Sequence, residues 1–265
     1  MSGEQAAAPD PETDRALGKM SFMEHLGELR TRIMWSLVSA GVGIIIAFFI
    51  TDPAMRFISR PLLSMKTELV FTSPTEAFWT WMKVAMVLGI FISMPGILLQ
   101  VWKFVAPGLH EHEKKYAAPF IIIGSLLFLI GGAFAMLIII PYASTFLVTF
   151  GQEKGWKPML TVSSYTDFVI KFALAFGLVF ELPVVITILS LIGVVTPQFL
   201  SKNRKYAILV NFIIAAILTP TPDMINQTLM AGPLCILYEV GIICARLATR
   251  KRTAATPPVE PASTP

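Results

Sequence analysis

Charge is what this chain has least of: charged residues make up 14% of its 265 residues against 55% hydrophobic, and the mean hydropathy is +0.69. Such a balance excludes an ordinary water-soluble domain. Cysteine is nearly absent, and Cys235 and Cys244 lie nine positions apart in the last apolar run, too far on a helix for a mutual disulfide. They read as small core or lipid-facing residues. The three histidines, His25, His110 and His112, all fall outside the apolar runs, and no Gly-x-Ser-x-Gly elbow, His-Glu-x-x-His helix or Walker loop is present. Enzyme readings therefore find no support. In His110-Glu111-His112-Glu113, alternate side chains on a helix would diverge, so neither a metal nor another cofactor is expected. Met1 to Lys19 lacks the basic start and apolar core of a cleavable signal peptide, so the first helix is expected to act as its own insertion signal.

What the chain has instead is long apolar runs. They extend from Ile33 to Ile50, Val84 to Val101, Ala117 to Phe150, Phe168 to Ile192, Ala207 to Thr219 and Leu229 to Ala245. A helix needs about 20 such residues to cross about 30 Å of hydrocarbon, and the short alternating segments of a barrel are missing. The fold class is all-α, a polytopic membrane protein with six transmembrane helices. The fifth run, at roughly 20 Å, is short for a bilayer. The third is long and holds Pro119, Gly131, Gly132 and Pro141, so it should tilt or kink.

Lys and Arg set the orientation. With both termini inside, the cytoplasmic segments hold Arg15, Lys19, Arg30, Arg32, Lys103, Lys114, Lys115, Lys202, Arg204, Lys205, Arg246, Arg250, Lys251 and Arg252. The outer loops hold fewer, which predicts N-in, C-in. The domain reading is a disordered cytoplasmic tail over 1–19, a transmembrane domain over 20–248 and a disordered cytoplasmic tail over 249–265. The first outer loop, Thr51 to Lys83, is expected to form a cap broken into pieces by Pro53, Pro61 and Pro74. Gly89 and Pro95 in the second span have the spacing of Gly177 and Pro183 in the fourth, a faint internal similarity.

Glu181 stands inside the fourth apolar run, where a charged residue costs about 2.5 to 3.5 kcal/mol to insert. It reads as an intramembrane polar site admitting water, a polar substrate or a proton, or as a protonated acid bonded to a neighbouring helix. Glu239 lies near Arg246, and Lys171 starts the fourth run and should snorkel outward.

Phe22, Leu26, Leu29 and Ile33 share one helical face, an interfacial helix leading into the first span. Glu28 can pair with Arg32 four positions on, for about 0.2 to 0.5 kcal/mol; alternatively it joins the carboxylates Glu111 and Glu113 of the loop Phe104 to Tyr116. Acids displayed in a basic cytoplasmic setting predict a cationic ligand.

The segments His25-Leu26-Gly27-Glu28-Leu29-Arg30-Thr31-Arg32, Phe104-Val105-Ala106-Pro107-Gly108-Leu109 through Glu113-Lys114-Lys115, Phe176 to Pro183, and Leu218-Thr219-Pro220 through Pro222-Asp223 to Gln227 together resemble the TatC family, the multispanning receptor subunit of the twin-arginine protein translocase. The resemblance runs in order from Met20 to Arg246. It implies a glove-shaped bundle in a bacterial inner membrane that binds twin-arginine signal peptides of folded cargo. It further implies TatA- and TatB-type single-span partners in an oligomeric complex, the protonmotive force as energy source, contact with lipid and none with nucleic acid. By position it gives Glu113 and Glu28, with Phe104, Pro107, Leu109 and Arg30, as the signal-peptide surface, and Pro61, Glu181 and Asp223 as further family positions. Thr221 between Pro220 and Pro222 and the Lys114-Lys115 pair depart from the pattern. A carboxylate accepts a guanidinium at two points and an ammonium at one, which favours paired Arg over paired Lys. The alternative is a proton-coupled secondary transporter of a small solute using Glu181.

Overall fold

The structure, a computed structural model, describes residues 22–64, 69–108, 117–219 and 224–255. The tail over 1–19, the loop residues Leu109, His110, Glu111, His112 and Glu113, the turn residue Asp223 and the chain after Ala255 lie outside the described residues.

Helix α1, Phe22–Phe48, has 27 residues and spans about 40 Å at 1.5 Å per residue. The amphipathic start and the first apolar run are thus one rod. A turn at Phe49-Ile50 leads into α2, Thr51–Ser64, where the buried Thr51 hydroxyl donates to the Ala47 carbonyl at 2.7 Å. The break expected at Pro61 does not occur, and α2 runs through it. A proline removes only one helical hydrogen bond, and Ile58 and Leu62 on either side are anchored in the core. Strand β1, Leu69–Val70, follows.

Helix α3, Pro74–Val105, starts ten residues before the apolar run does and stays helical through Pro95. Its first turn is built by Glu76, which accepts from the Thr72 backbone N–H at 2.7 Å and its hydroxyl at 2.9 Å. Helices α4, Ala117–Phe134, and α5, Ile140–Glu153, are joined by a π-helical turn, Ala135–Ile139. There the Ile140 N–H bonds the Ala135 carbonyl. The wider turn takes up the irregularity imposed by Pro141, which has no N–H to donate. Strand β2, Leu160–Thr161, pairs in parallel with β1, Leu69 beside Leu160 and Val70 beside Thr161.

Helix α6, Val162–Phe180, and α7, Leu182–Leu191, meet at a break on Glu181. Pro183 cannot donate to the preceding turn, and the Glu181 carbonyl instead receives the N–H groups of Val184 and Val185 at 3.0 and 2.9 Å. Because α6 begins at Val162, Lys171 is mid-helix rather than at its start. Helix α8, Pro197–Lys202, is capped by the Thr196 hydroxyl and followed by α9, Arg204–Leu218, and α10, Met224–Ala255. The last helix is described as far as Ala255.

Among the described residues, five helical stretches are long and apolar enough to cross a membrane: Met23–Phe48, Pro74–Val105, Ala117–Glu153, Val162–Leu191 and Gln227–Thr249. Helix α9, on the fifth apolar run, has 15 residues, or about 22 Å.

Small residues bring the helices close. A Cβ on Gly43 of α1 would collide with the Gly89 carbonyl of α3, and one on Gly131 of α4 with the Phe176 carbonyl of α6. Close approach of this kind is how helices associate where no water is present to drive them together. The main core joins Leu62, Ile139, Ile140, Val169, Phe172, Phe176 and Leu234. At the end carrying α2 and the two strands, Lys83 bonds both Asp167 oxygens at 2.7 and 2.9 Å, Glu76 receives the Ser163 N–H at 3.0 Å, and the Trp81 indole donates to Asp52 at 2.7 Å. The opposite end holds the start of α1, the end of α3 and α8.

Candidate functional site

Helices α1 and α3 run antiparallel in close contact, and three contacts fix their register. His25 stacks on Phe104 with centroids 4.4 Å apart, the Ser39 hydroxyl donates to the Ser93 carbonyl at 3.5 Å, and Gly43 lies against Gly89. On α1 the residues meeting α3 recur three to four apart, so Glu28 and Arg32 extend the same stripe. The register sets Glu28 near the level of Phe104 and Arg32 near that of Gln100.

Glu28 is therefore a carboxylate in a helix seam. Its side chain is 14% exposed, and Oε1 accepts from Arg32 Nη2 at 2.9 Å. The pairing foreseen from the four-residue spacing is present. It is one-pointed: Glu28 Oε2 and Arg32 Nε are buried and have no hydrogen-bond partner among the described residues, and the same holds for Gln100 Oε1. A seam with this much unused bonding capacity is fitted to receive another polar group, since unpartnered buried atoms are costly.

Phe104 is half-buried under His25. Pro107 is exposed in the 3-10 turn Ala106–Gly108, and Arg30 is exposed on α1. The connection carrying Leu109 and Glu113 leaves from the end of α3 and enters α4 at Ala117. It is tethered at the same end of the bundle as Glu28. Pro61 lies on α2 at the other end, so the residues singled out from sequence do not form one cluster.

Glu181 is buried at 6% exposure, and its Oε1 has no partner among the described residues. Its place is made by Gly124 of α4. A Cβ there would lie 3.2 Å from Oε2 and 2.7 Å from Leu98 Cδ1. Since α6 starts earlier than the apolar run, the carboxylate sits well along the α6–α7 rod, toward the α8 end. Glu239 is paired with Arg204 at 2.7 and 2.8 Å, not with Arg246, which donates to the Ser201 hydroxyl at 2.7 Å. Gln227 donates to the Phe212 carbonyl at 3.2 Å, tying α9 to α10.

Sequence reasoning missed His25, Gln100 and Gly124 as site residues. The first two matter only through the α1–α3 register, and the third only because α4 faces Glu181. Among the described residues no three His, Cys, Asp or Glu side chains group as metal ligands.

Residues 24–233 match the family model for TatC, the Sec-independent protein translocase protein. The chain is 45% identical over 227 residues to the TatC protein of Carboxydothermus hydrogenoformans, covering 86% of this chain and 93% of that one. It is 39% identical over 236 residues to TatC of Aquifex aeolicus, covering 88% and 98%. Among solved structures it resembles the crystal structure of a twin arginine translocase receptor, TatC, at 40% identity and a TM-score of 0.71 over 85% of this chain and all of that one.

Proposed function

We propose, from the premise that this chain belongs to the TatC family, that it is the receptor subunit of a twin-arginine translocase and binds the arginine pair of signal peptides on folded cargo. The observation that carries the reading is Glu28: a seam-held carboxylate with one oxygen unused, at the end of the bundle from which the Glu113 loop leaves. In this reading Glu28 and Glu113 take the two guanidinium groups, two-point acceptance favouring Arg over Lys. Phe104, Pro107, Leu109 and Arg30 shape the surrounding surface, and Pro61 and Asp223 belong to the outer face.

The finer architecture is part of the same proposal. Six helices cross the membrane, α9 included, with both termini and the α8 end in the cytoplasm of a bacterial cell and α2 with its two strands outside the inner membrane. Residues 1–19 form a cytoplasmic tail, and the spanning domain ends near residue 248. A 22 Å helix is met by local thinning of the bilayer. TatA- and TatB-type single-span subunits complete an oligomeric complex driven by the protonmotive force. Glu181 serves as a polar point inside the bundle. The solute-carrier reading draws no support from the faint repeat, because α3 continues through Pro95 whereas α6 breaks before Pro183.

Expression in a cell lacking its own receptor subunit tests the assignment. Tagged protein should retain a single-span subunit through purification and restore export of a folded reporter bearing an arginine-pair signal, with export stopping when the membrane is uncoupled. Protein present in the membrane that retains no such subunit and supports no export contradicts it.

A further inference from the structure

Resting on the receptor reading above, we infer that Arg32 is an internal stand-in for the ligand's guanidinium, which the incoming arginine displaces from Glu28 and which then moves onto Gln100. Three buried atoms with no partner among the described residues carry this inference: Glu28 Oε2, Arg32 Nε and Gln100 Oε1. They lie on one stripe of the α1–α3 seam.

Held four residues apart on one helix, Arg32 reaches only one Glu28 oxygen, through Nη2 at 2.9 Å. A guanidinium arriving on a separate peptide is free of that constraint and can present its planar fork to both oxygens. The exchange replaces a one-point cation with a two-point cation, so the buried carboxylate is never left without a positive partner. An ammonium offers a single point contact and has no such advantage over the resident guanidinium.

The displaced Arg32 also needs a partner, since an unpaired cation in the seam would be costly. Gln100 supplies it. Its carboxamide oxygen is unused, the α1–α3 register puts it at the level of Arg32, and it lines the groove between the two helices together with Trp35 and Ser39. No covalent bond changes. Arg32 and Gln100 are thus positioning residues that set how strong a ligand must be to enter.

The test is a titration of purified protein with fluorescent signal peptides bearing Arg-Arg or Lys-Lys. Arg32→Gln should tighten both by about tenfold, the effect of one charged hydrogen bond no longer competing. Gln100→Leu should weaken the Arg-Arg peptide by a similar factor when Arg32 is present and have no effect in the Arg32→Gln background. That non-additivity is what a merely structural role would not produce. Weaker binding by Arg32→Gln, or additive effects of the two substitutions, overturns displacement. If Arg32→Gln fails to reach the membrane, the loss from Gln100→Leu alone decides, and unchanged affinity there overturns it. Glu28→Gln in the same titration separates the two readings: native-like affinity removes the receptor role of Glu28 itself, whereas loss of binding there, with Arg32→Gln present in the membrane and binding no tighter than native, removes only the displacement.

Discussion

Replacing Glu28 by Ala lowers the affinity of the purified protein for an arginine-pair signal peptide by about 30-fold or more. The figure follows from geometry. Truncating one member of a shielded, hydrogen-bonded charge pair costs about 2 to 5 kcal/mol, most of it from leaving the partner charge unmatched, and about 1.4 kcal/mol is tenfold. Glu28 belongs to that shielded class because its side chain is 14% exposed. The effect sits toward the lower end because Arg32 already engages one oxygen. Loss of Glu28 also strands Arg32, so binding should be measured beside thermal unfolding in detergent. A variant that unfolds as the native protein does and binds poorly supports the site, while one that binds as before removes Glu28 from it.

Gly43→Leu should damage the scaffold, destabilising it by about 3 kcal/mol, the upper end for overpacking. Its Cβ would collide with the backbone carbonyl of Gly89, which cannot rotate aside as a side chain can. Separation of α1 from α3 would also pull His25 off Phe104 and carry Glu28 away from its place. The control lies two residues away: Gly41 has nothing within 4 Å of its would-be Cβ. Gly41→Leu should stay within about 0.5 kcal/mol of native stability. Thermal unfolding and peptide binding of the two variants check the contrast. Equal behaviour of the pair would show that the seam is not held by close approach at Gly43.

These two predictions mark where sequence sufficed and where it did not. The helices were legible because an apolar run of about 20 residues has few other uses. Their ends were not, because α3 and α6 continue past the apolar runs into polar turns built by Glu76 and Thr161. Prolines were a poor guide to breaks. Pro61 leaves α2 intact and Pro141 is absorbed by a π-helical turn, whereas Pro183 does interrupt its helix, and the carboxylate of Glu181 marks the place. The Glu28–Arg32 pair could be read from spacing because both residues lie on one helix. Gln100 and Gly124 could not, since their roles depend on which helix faces which and at what register. Glu113 was reached through the family pattern and through its loop's attachment next to Glu28.

Site-specific crosslinking from the arginine pair of a signal peptide to membranes containing native protein or Glu113→Ala tests the central claim most directly. The native protein should crosslink strongly to the Arg-Arg peptide and weakly to the Lys-Lys peptide, and the Arg-Arg signal should be lost in Glu113→Ala. Undiminished crosslinking in the variant, with Arg-Arg and Lys-Lys peptides captured alike, would contradict it.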